Sequence, residues 1–319
     1  MTNTAISITS AGNKTVVRLQ TSRVNADLTA RASLSLNQAA HQQLFFDRLA
    51  RFRSLGYVDE DAAVLALLGD DANFLRADHF PRLHDHVRSN SQDQCLFAPL
   101  RNKAPGIYPI VDSLDHLQQM LDAGAQIVQL RIKSDSTTPS LLNSINSAVK
   151  MAASYPQSQL FINDHWRAAI ELGAYGVHLG QEDLQIADLQ AIAAAGLRLG
   201  VSSHAFWEVA RALSISPSYI ACGPIFPTRA KAMPWIAQGI ENLHYWSTLL
   251  PMPVVAIGGI NAENLAAVRK TGCASASVIA AITASPSPTH AYRALQALWN
   301  ESSGKPDHLP KLARPTLAN

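Results

Sequence analysis

Cysteine is scarce in this sequence of 319 residues: Cys95, Cys222 and Cys273 are odd in number, and no two share a short spacing. That excludes a disulfide framework and the paired-cysteine patterns of zinc sites, and it fits reduced thiols in a cytoplasmic protein. Charge is also sparse, at 16% of residues, and nearly balanced, with 26 Lys and Arg against 24 Asp and Glu. A net charge of +2 supplies no broad basic face, so no nucleic-acid partner is expected. Long apolar runs are missing. The stretch Ala62 to Leu68 falls far short of the roughly 20 residues that cross a bilayer, so no membrane partner is expected either. Residues 1–26 hold no acidic residue, a bias that organellar transit peptides share. They also lack a helical apolar period, which favours a disordered tail over residues 1–34. What is abundant is hydrophobic residues, at 47%, enough for a sizeable core in two domains or in one large domain with an appendage.

Residues 35–98 read as a helical region of unknown role. Asn37 can cap a segment in which Ala40, Leu44, Phe45, Leu49 and Phe52 follow helical spacing, and Gly56 stands where a left-handed C-terminal cap belongs. A second helix starts at Asp59 and runs to Gly69, and a third is expected from Asn73. No strand signal is present there. His79, His84 and His86, with Asp78 and Asp85, match no zinc spacing and read as a solvated helical face. Pro99 to Pro105 is short, polar and proline-bounded, which suits a linker, and residues 301–319 read as a second disordered tail.

From Gly106 the pattern changes to short β-branched runs alternating with longer helical segments. The strand candidates are Ile107 to Val111, Ile127 to Arg131, Leu160 to Ile162, Gly176 to Leu179, Leu197 to Val201, Tyr219 to Cys222, Val254 to Ile257 and Ala276 to Ile279. Each precedes a segment able to form a helix. The fold expected is α/β, a (β/α)8 TIM barrel over residues 106–300 preceded by a small, mainly helical N-terminal extension. The rival, an open doubly wound sheet, often has a glycine-rich first turn, and here that turn is Asp112-Ser113-Leu114.

A barrel collects function at the C-terminal ends of its strands. Gln129, Arg131 and Lys133 alternate along the second strand and would face the interior near its mouth, where two cations need an anion to compensate them. Asn163-Asp164 ends the third strand and Gly180-Gln181-Glu182-Asp183 follows the fourth. Carboxylates on adjacent strand ends beside an anion site suit Mg²⁺, although Asp164 could also be only a helix cap. His178 reads as a hydrogen-bonded core residue, having no His or Cys partner nearby. Ser202, Ser203 and His204 offer hydroxyls and an imidazole, but no nucleophile-elbow pattern surrounds Ser202. The long loop from Gly223 carries Thr228 and Lys231; the lysine could bind phosphate or, if desolvated, form a Schiff base. Gly258-Gly259-Ile260 and Ile279-Ala280 end the last two strands, the usual phosphate cradle of this fold.

At these residues the chain resembles the thiamine-phosphate synthase family, also called thiamine-phosphate pyrophosphorylase. The matching motifs, in order, are Gln129-Leu130-Arg131-Ile132-Lys133, Phe161-Ile162-Asn163-Asp164, Gly176-Val177-His178-Leu179-Gly180-Gln181-Glu182-Asp183, Gly200-Val201-Ser202, Gly223 to Thr228 with Lys231, and Val255 to Ile260. The resemblance implies a transferase that joins 4-amino-2-methyl-5-(diphosphomethyl)pyrimidine to a thiazole phosphate and releases pyrophosphate, by a dissociative, Mg²⁺-assisted route without a dedicated general base. Gln129, Arg131, Lys133, Asn163, Ser202 and Lys231 would hold the pyrimidine diphosphate, and Asp164 and Asp183 the Mg²⁺. Thr228, Gly259 and the backbone at Ile279 and Ala280 would hold the thiazole phosphate. Two positions depart from the family pattern: Ala230 and Ala280 stand where hydroxyl residues are common. A thiazole tautomerase of the related non-synthase branch, or a barrel that senses thiamine precursors without turnover, are the alternatives; retention of the diphosphate-side residues favours the synthase. Every matched residue lies after Pro105, so a chain beginning there is expected to keep the activity.

Overall fold

The computed structural model describes residues 5–11, 14–21, 24–29, 39–69, 77–83, 97–133, 138–228, 234–302, 306 and 308–317. Its first element is a sheet built on a period of two. Val17 and Leu19 are buried while Arg18 and Gln20 are exposed, as in a strand with one face on a core. Strands β1 (Ala5–Ala11), β2 (Lys14–Gln20), β3 (Asn25–Thr29) and β4 (Arg82–Leu83) pair antiparallel in that order. The register sets Val17 opposite Leu28 on the inner face and Arg18 opposite Asp27 on the outer one, where their side chains meet at 2.8 Å. The expected disordered tail over residues 1–34 is thus corrected to three strands over its described part. These strands alternate with a period of two, which carries no helical period, and the outer partner of β3, β4, is some fifty residues away in sequence.

Helices α1 (Ala39–Ser54) and α2 (Asp59–Leu68) lie where the sequence places them, with Gly56 left-handed at φ +89° between them. Phe45, Leu49 and Phe52 form the buried stripe of α1, and α2 is buried continuously from Glu60 to Leu67. A helix covered on all sides must lie between layers. The third expected helix, from Asn73, begins outside the described residues, as do His84 and His86; Ala77–His79 form one 3-10 turn. Among the described residues no group of three His, Cys, Asp or Glu side chains could hold a metal ion.

The eight expected strands are all present: β5 (Gly106–Val111), β6 (Ile127–Leu130), β7 (Gln159–Asn163), β8 (Gly176–Leu179), β9 (Arg198–Ser203), β10 (Tyr219–Cys222), β11 (Val254–Ile257) and β12 (Ser275–Val278). They pair in parallel and close, β12 meeting β5, so the (β/α)8 barrel is established. Around it run α3 (Leu114–Asp122), α4 (Pro139–Ala153), α5 (Trp166–Glu171), α6 (Asp183–Ile186), α7 (Leu189–Ala194), α8 (Phe206–Ile215), α9 (Gly239–Leu249), α10 (Leu265–Lys270), α11 (Ala280–Thr283) and α12 (Pro288–Glu301). Tyr108, Phe161 and Tyr219 fill the barrel, with Ile127, Ala221 and Val255. Gly200 is required by this packing, since a Cβ there would come within 2.1 Å of the Tyr219 ring.

Pro99 to Pro105 does more than link. Leu100 is buried with the barrel-interior residues, the Arg101 guanidinium lies 5.0 Å from the Tyr175 ring centre, and the Asn102 amide donates to Gln159 Oε1 at 3.2 Å. The segment is a plug at the N-terminal mouth. The described part of 301–319 is likewise no tail. Ala313, Thr316 and Leu317 are buried, Tyr57 donates its hydroxyl to the Ala313 carbonyl, Asn242 bonds both backbone groups of Arg314, and Leu317 bridges to Trp235. This strap shows no periodicity because it packs as extended chain without a sheet. Extension and barrel share one core, in which Phe206 of α8 meets Tyr57 at 5.9 Å, Phe80 at 6.4 Å and Trp246 at 4.8 Å between ring centres. Among the described residues no helix is long and apolar enough to cross a membrane.

Candidate active site

The C-terminal ends of β6, β7 and β8 bring charge together. Asp164, directly after β7, adopts a left-handed conformation at φ +61°, which Asp tolerates better than most residues; its amide donates to the His178 carbonyl at 3.0 Å. Asn163 donates its side-chain amide to the Asp164 carboxylate. Asp183 opens α6, and its Oδ2 accepts from the Gly180 amide at 3.1 Å. Burial and the neighbouring Asp183 carboxylate push the Asp164 carboxyl up to about 6, against the pull of Arg131 and His165. Asp164 nevertheless keeps solvent access. The Asp164 carboxyl beside that of Asp183, with Arg131 compensating only in part, makes a cluster of hard oxygens of the kind that suits a divalent cation.

Strand β6 ends at Leu130, so the alternation expected over Gln129, Arg131 and Lys133 orients Gln129 alone. Gln129 is buried inside the barrel, Arg131 is half-buried beyond the strand end, and Lys133 is exposed. The Gln129 amide lies 3.4 Å from the Tyr108 hydroxyl, which is 3.0 Å from that of Tyr219. Tyr219 reaches His178 Nδ1 at 2.8 Å, and His178 Nε2 reaches Ser202 Oγ at 2.9 Å. Desolvation raises both tyrosine hydroxyls well above their ordinary range, so they stay neutral. With the Gln129 NH₂ as donor, each hydroxyl passes its hydrogen outward and His178 donates to Ser202. The Ser202 O–H is then left to donate at the mouth. His178 has the core role expected of it. The string itself was not foreseen, and its signal was two tyrosines on inward positions of apolar strands.

Around Ser202 a second set of bonds converges. Gln181 donates to the Ser202 carbonyl at 2.6 Å, and the buried Arg211 donates to the Gln181 carbonyl at 2.9 Å. On the opposite arc, Phe226 donates to the Gly258 carbonyl at 3.0 Å. Gly259, at φ +67°, leaves only 2.7 Å between a notional Cβ and the Pro227 carbonyl. Any side chain there would displace the segment leading to half-buried Thr228. Ile279 ends the β12 crossing and Ala280 starts α11, so the first N–H groups of that helix stand at the mouth. Lys231, Arg229 and Ala230 lie outside the described residues.

A closed (β/α)8 barrel whose carboxyl-end loops carry a carboxylate pair, a guanidinium and glycine-lined backbone defines an enzyme class built to handle phosphorylated substrates. The sequence profile described as thiamine monophosphate synthase matches residues 107–282, and the chain belongs to that family. It is 49% identical over 205 residues to thiamine-phosphate synthase of Neisseria meningitidis, serogroup A, covering 64% of this chain and 98% of that protein. Against thiamine-phosphate synthase of Cronobacter sakazakii it is 49% identical over 192 residues, 60% of this chain and 90% of that protein. The solved thiamine phosphate pyrophosphorylase of Pyrococcus furiosus superposes with a TM-score of 0.57 at 29% identity, over 64% of this chain and 99% of that one. These relatives leave the rest of this chain unmatched.

Proposed function

We propose that this transferase joins 4-amino-2-methyl-5-(diphosphomethyl)pyrimidine to a thiazole phosphate, forming thiamine phosphate and pyrophosphate. The observation that carries the reading is the Asp164 and Asp183 carboxylate pair beside Arg131 at the barrel mouth, where a diphosphate needs both cation and metal. Gln129, Asn163 and Ser202 position the pyrimidine diphosphate, with Arg131, Lys133 and Lys231 supplying positive charge to its oxygens. Asp164 and Asp183 would hold Mg²⁺, which neutralises charge developing on the leaving diphosphate. The bond from the pyrimidine methylene carbon to the diphosphate oxygen breaks first, and the bonding pair leaves with pyrophosphate. The 4-amino group stabilises the resulting cation, and the thiazole nitrogen supplies the pair for the new C–N bond. No proton needs to be removed at that step, in keeping with a site without a dedicated base. Thr228, Gly259 and the backbone at Ile279 and Ala280 hold the thiazole phosphate. The free, buried thiols of Cys222 and Cys273 and the phosphorylated small-molecule substrates suit a cytoplasmic enzyme. Pyrophosphate should appear when the protein meets both substrates and Mg²⁺, and should stop on chelation. Release that persists in chelator would remove the metal from the reading, and absence of release with Mg²⁺ would remove the synthase.

A further inference from the structure

Helix α8 follows the strand that carries Ser202, yet it has no cap of its own. Its N-cap residue is Ala205, which has no side-chain acceptor for the exposed first-turn amides. The missing acceptor comes from outside the barrel: Asp61 of α2, itself buried, takes the Trp207 amide on Oδ1 at 2.8 Å. Glu208 completes the clamp by accepting from the His204 amide at 2.6 Å. One turn further along α8, Arg211 holds Gln181, which holds the Ser202 carbonyl. Glu60, Asp61, Glu208 and Arg211 all line one cavity between the extension and the barrel, which also borders Gln181. Both ends of the Ser202 segment are therefore tied to a helix whose start is fixed by the extension.

We propose that the N-terminal extension is a positioning element of the synthase site, acting through Asp61. An uncapped α8 would fray at its first turn and release the turn from Ser202 to Ala205, loosening the grip on the pyrimidine diphosphate. The clamp also touches the β10 side, where the Gly223 amide donates to the Ser203 carbonyl at 3.2 Å and His204 stacks on Trp235 at 4.9 Å between ring centres, whereas Gly259, Ile279 and Ala280 stand on the loops after β11 and β12; the larger effect is therefore expected on the pyrimidine diphosphate. The inference rests on the synthase reading for the identity of the ligand. Its test is therefore binding, which does not need turnover: titration of the full-length chain with pyrimidine diphosphate plus Mg²⁺, and separately with thiazole phosphate.

Asp61→Ala should weaken pyrimidine diphosphate binding about tenfold, the size of a lost helix cap, and leave thiazole phosphate within about twofold. Asp61→Asn keeps an acceptor oxygen and should restore binding to within about twofold of the unaltered chain. Arg211→Lys, made in parallel, keeps the Asp61 cap on α8, removes the guanidinium contact with Gln181 and should show the same selectivity even where Asp61→Ala fails to fold. Unchanged binding in the variants that fold, or equal loss for both ligands, overturns the proposal while leaving the synthase reading in place. An unaltered chain that binds neither compound and releases no pyrophosphate overturns both.

Discussion

Asp164 combines an unusual backbone with an unusual proton affinity, and the two can be separated by substitution. Asn shares the tolerance of Asp for positive φ, so Asp164→Asn should fold normally while removing the charge. Both Asp164→Asn and Asp183→Asn are expected to weaken apparent Mg²⁺ affinity at least about tenfold in rate titrations. If neither does, these aspartates serve only the backbone. Because the Asp164 carboxyl is pushed up to about 6, a proton competes with Mg²⁺ at and below that pH. Apparent Mg²⁺ affinity should therefore fall as pH drops through about 6, and Asp164→Asn should flatten that dependence, since nothing at position 164 then titrates. Ala280 is exposed at the head of α11 and offers no side-chain donor there. A hydrogen bond to a charged group contributes about 1.5 to 3 kcal/mol, so Ala280→Ser should lower the Michaelis constant for thiazole phosphate about tenfold. That for pyrimidine diphosphate should stay nearly constant. A Michaelis constant for thiazole phosphate that does not move would mean that another group already fills that contact.

Among the elements, the last strap gives the plainest prediction. Deleting residues 308–319 removes the burial of Ala313 and Leu317 and the bonds of Arg314 to Gln238 and Ala237. The melting temperature should fall by about 3 to 8 °C, as expected for losing a few kcal/mol in a chain of this size. An unchanged melting curve would mean that the strap only rests on the surface. The strap was illegible in the sequence because extended chain that packs without a sheet has no period. The eight barrel strands were legible for the opposite reason: each is a short apolar run followed by a segment able to form a helix, and most are closed by Gly, Asn or Ser. Helices α5 and α9 carry the weakest periodic signal, the first for its brevity, the second because Asn242 and His244 on its buried side interrupt the apolar stripe. At the site, the charged residues could be read from motif and spacing. The string from Gln129 to Ser202 could not, because hydrogen bonds across a barrel join residues on strands that sequence keeps apart.

For the molecule as a whole, the extension changes what the barrel can do alone. Relatives match this chain over the barrel region, which made a start at residue 105 look sufficient. Here, however, α8 turns Phe206 toward Tyr57 and Phe80, its first turn is capped by Asp61, and Leu100 plugs the opposite mouth. A chain beginning at residue 105 should therefore be insoluble or melt well below the full-length protein, and a soluble truncation with unchanged melting would show that the shared core is dispensable. The claim on which the rest depends is synthase chemistry. Its most direct measurement is product-resolved turnover of the full-length chain with both substrates and Mg²⁺. Thiamine phosphate and pyrophosphate should form in equal amounts, with neither formed when thiazole phosphate is left out. Isomerised thiazole phosphate without pyrophosphate, or binding of both substrates without any product, would contradict synthase chemistry.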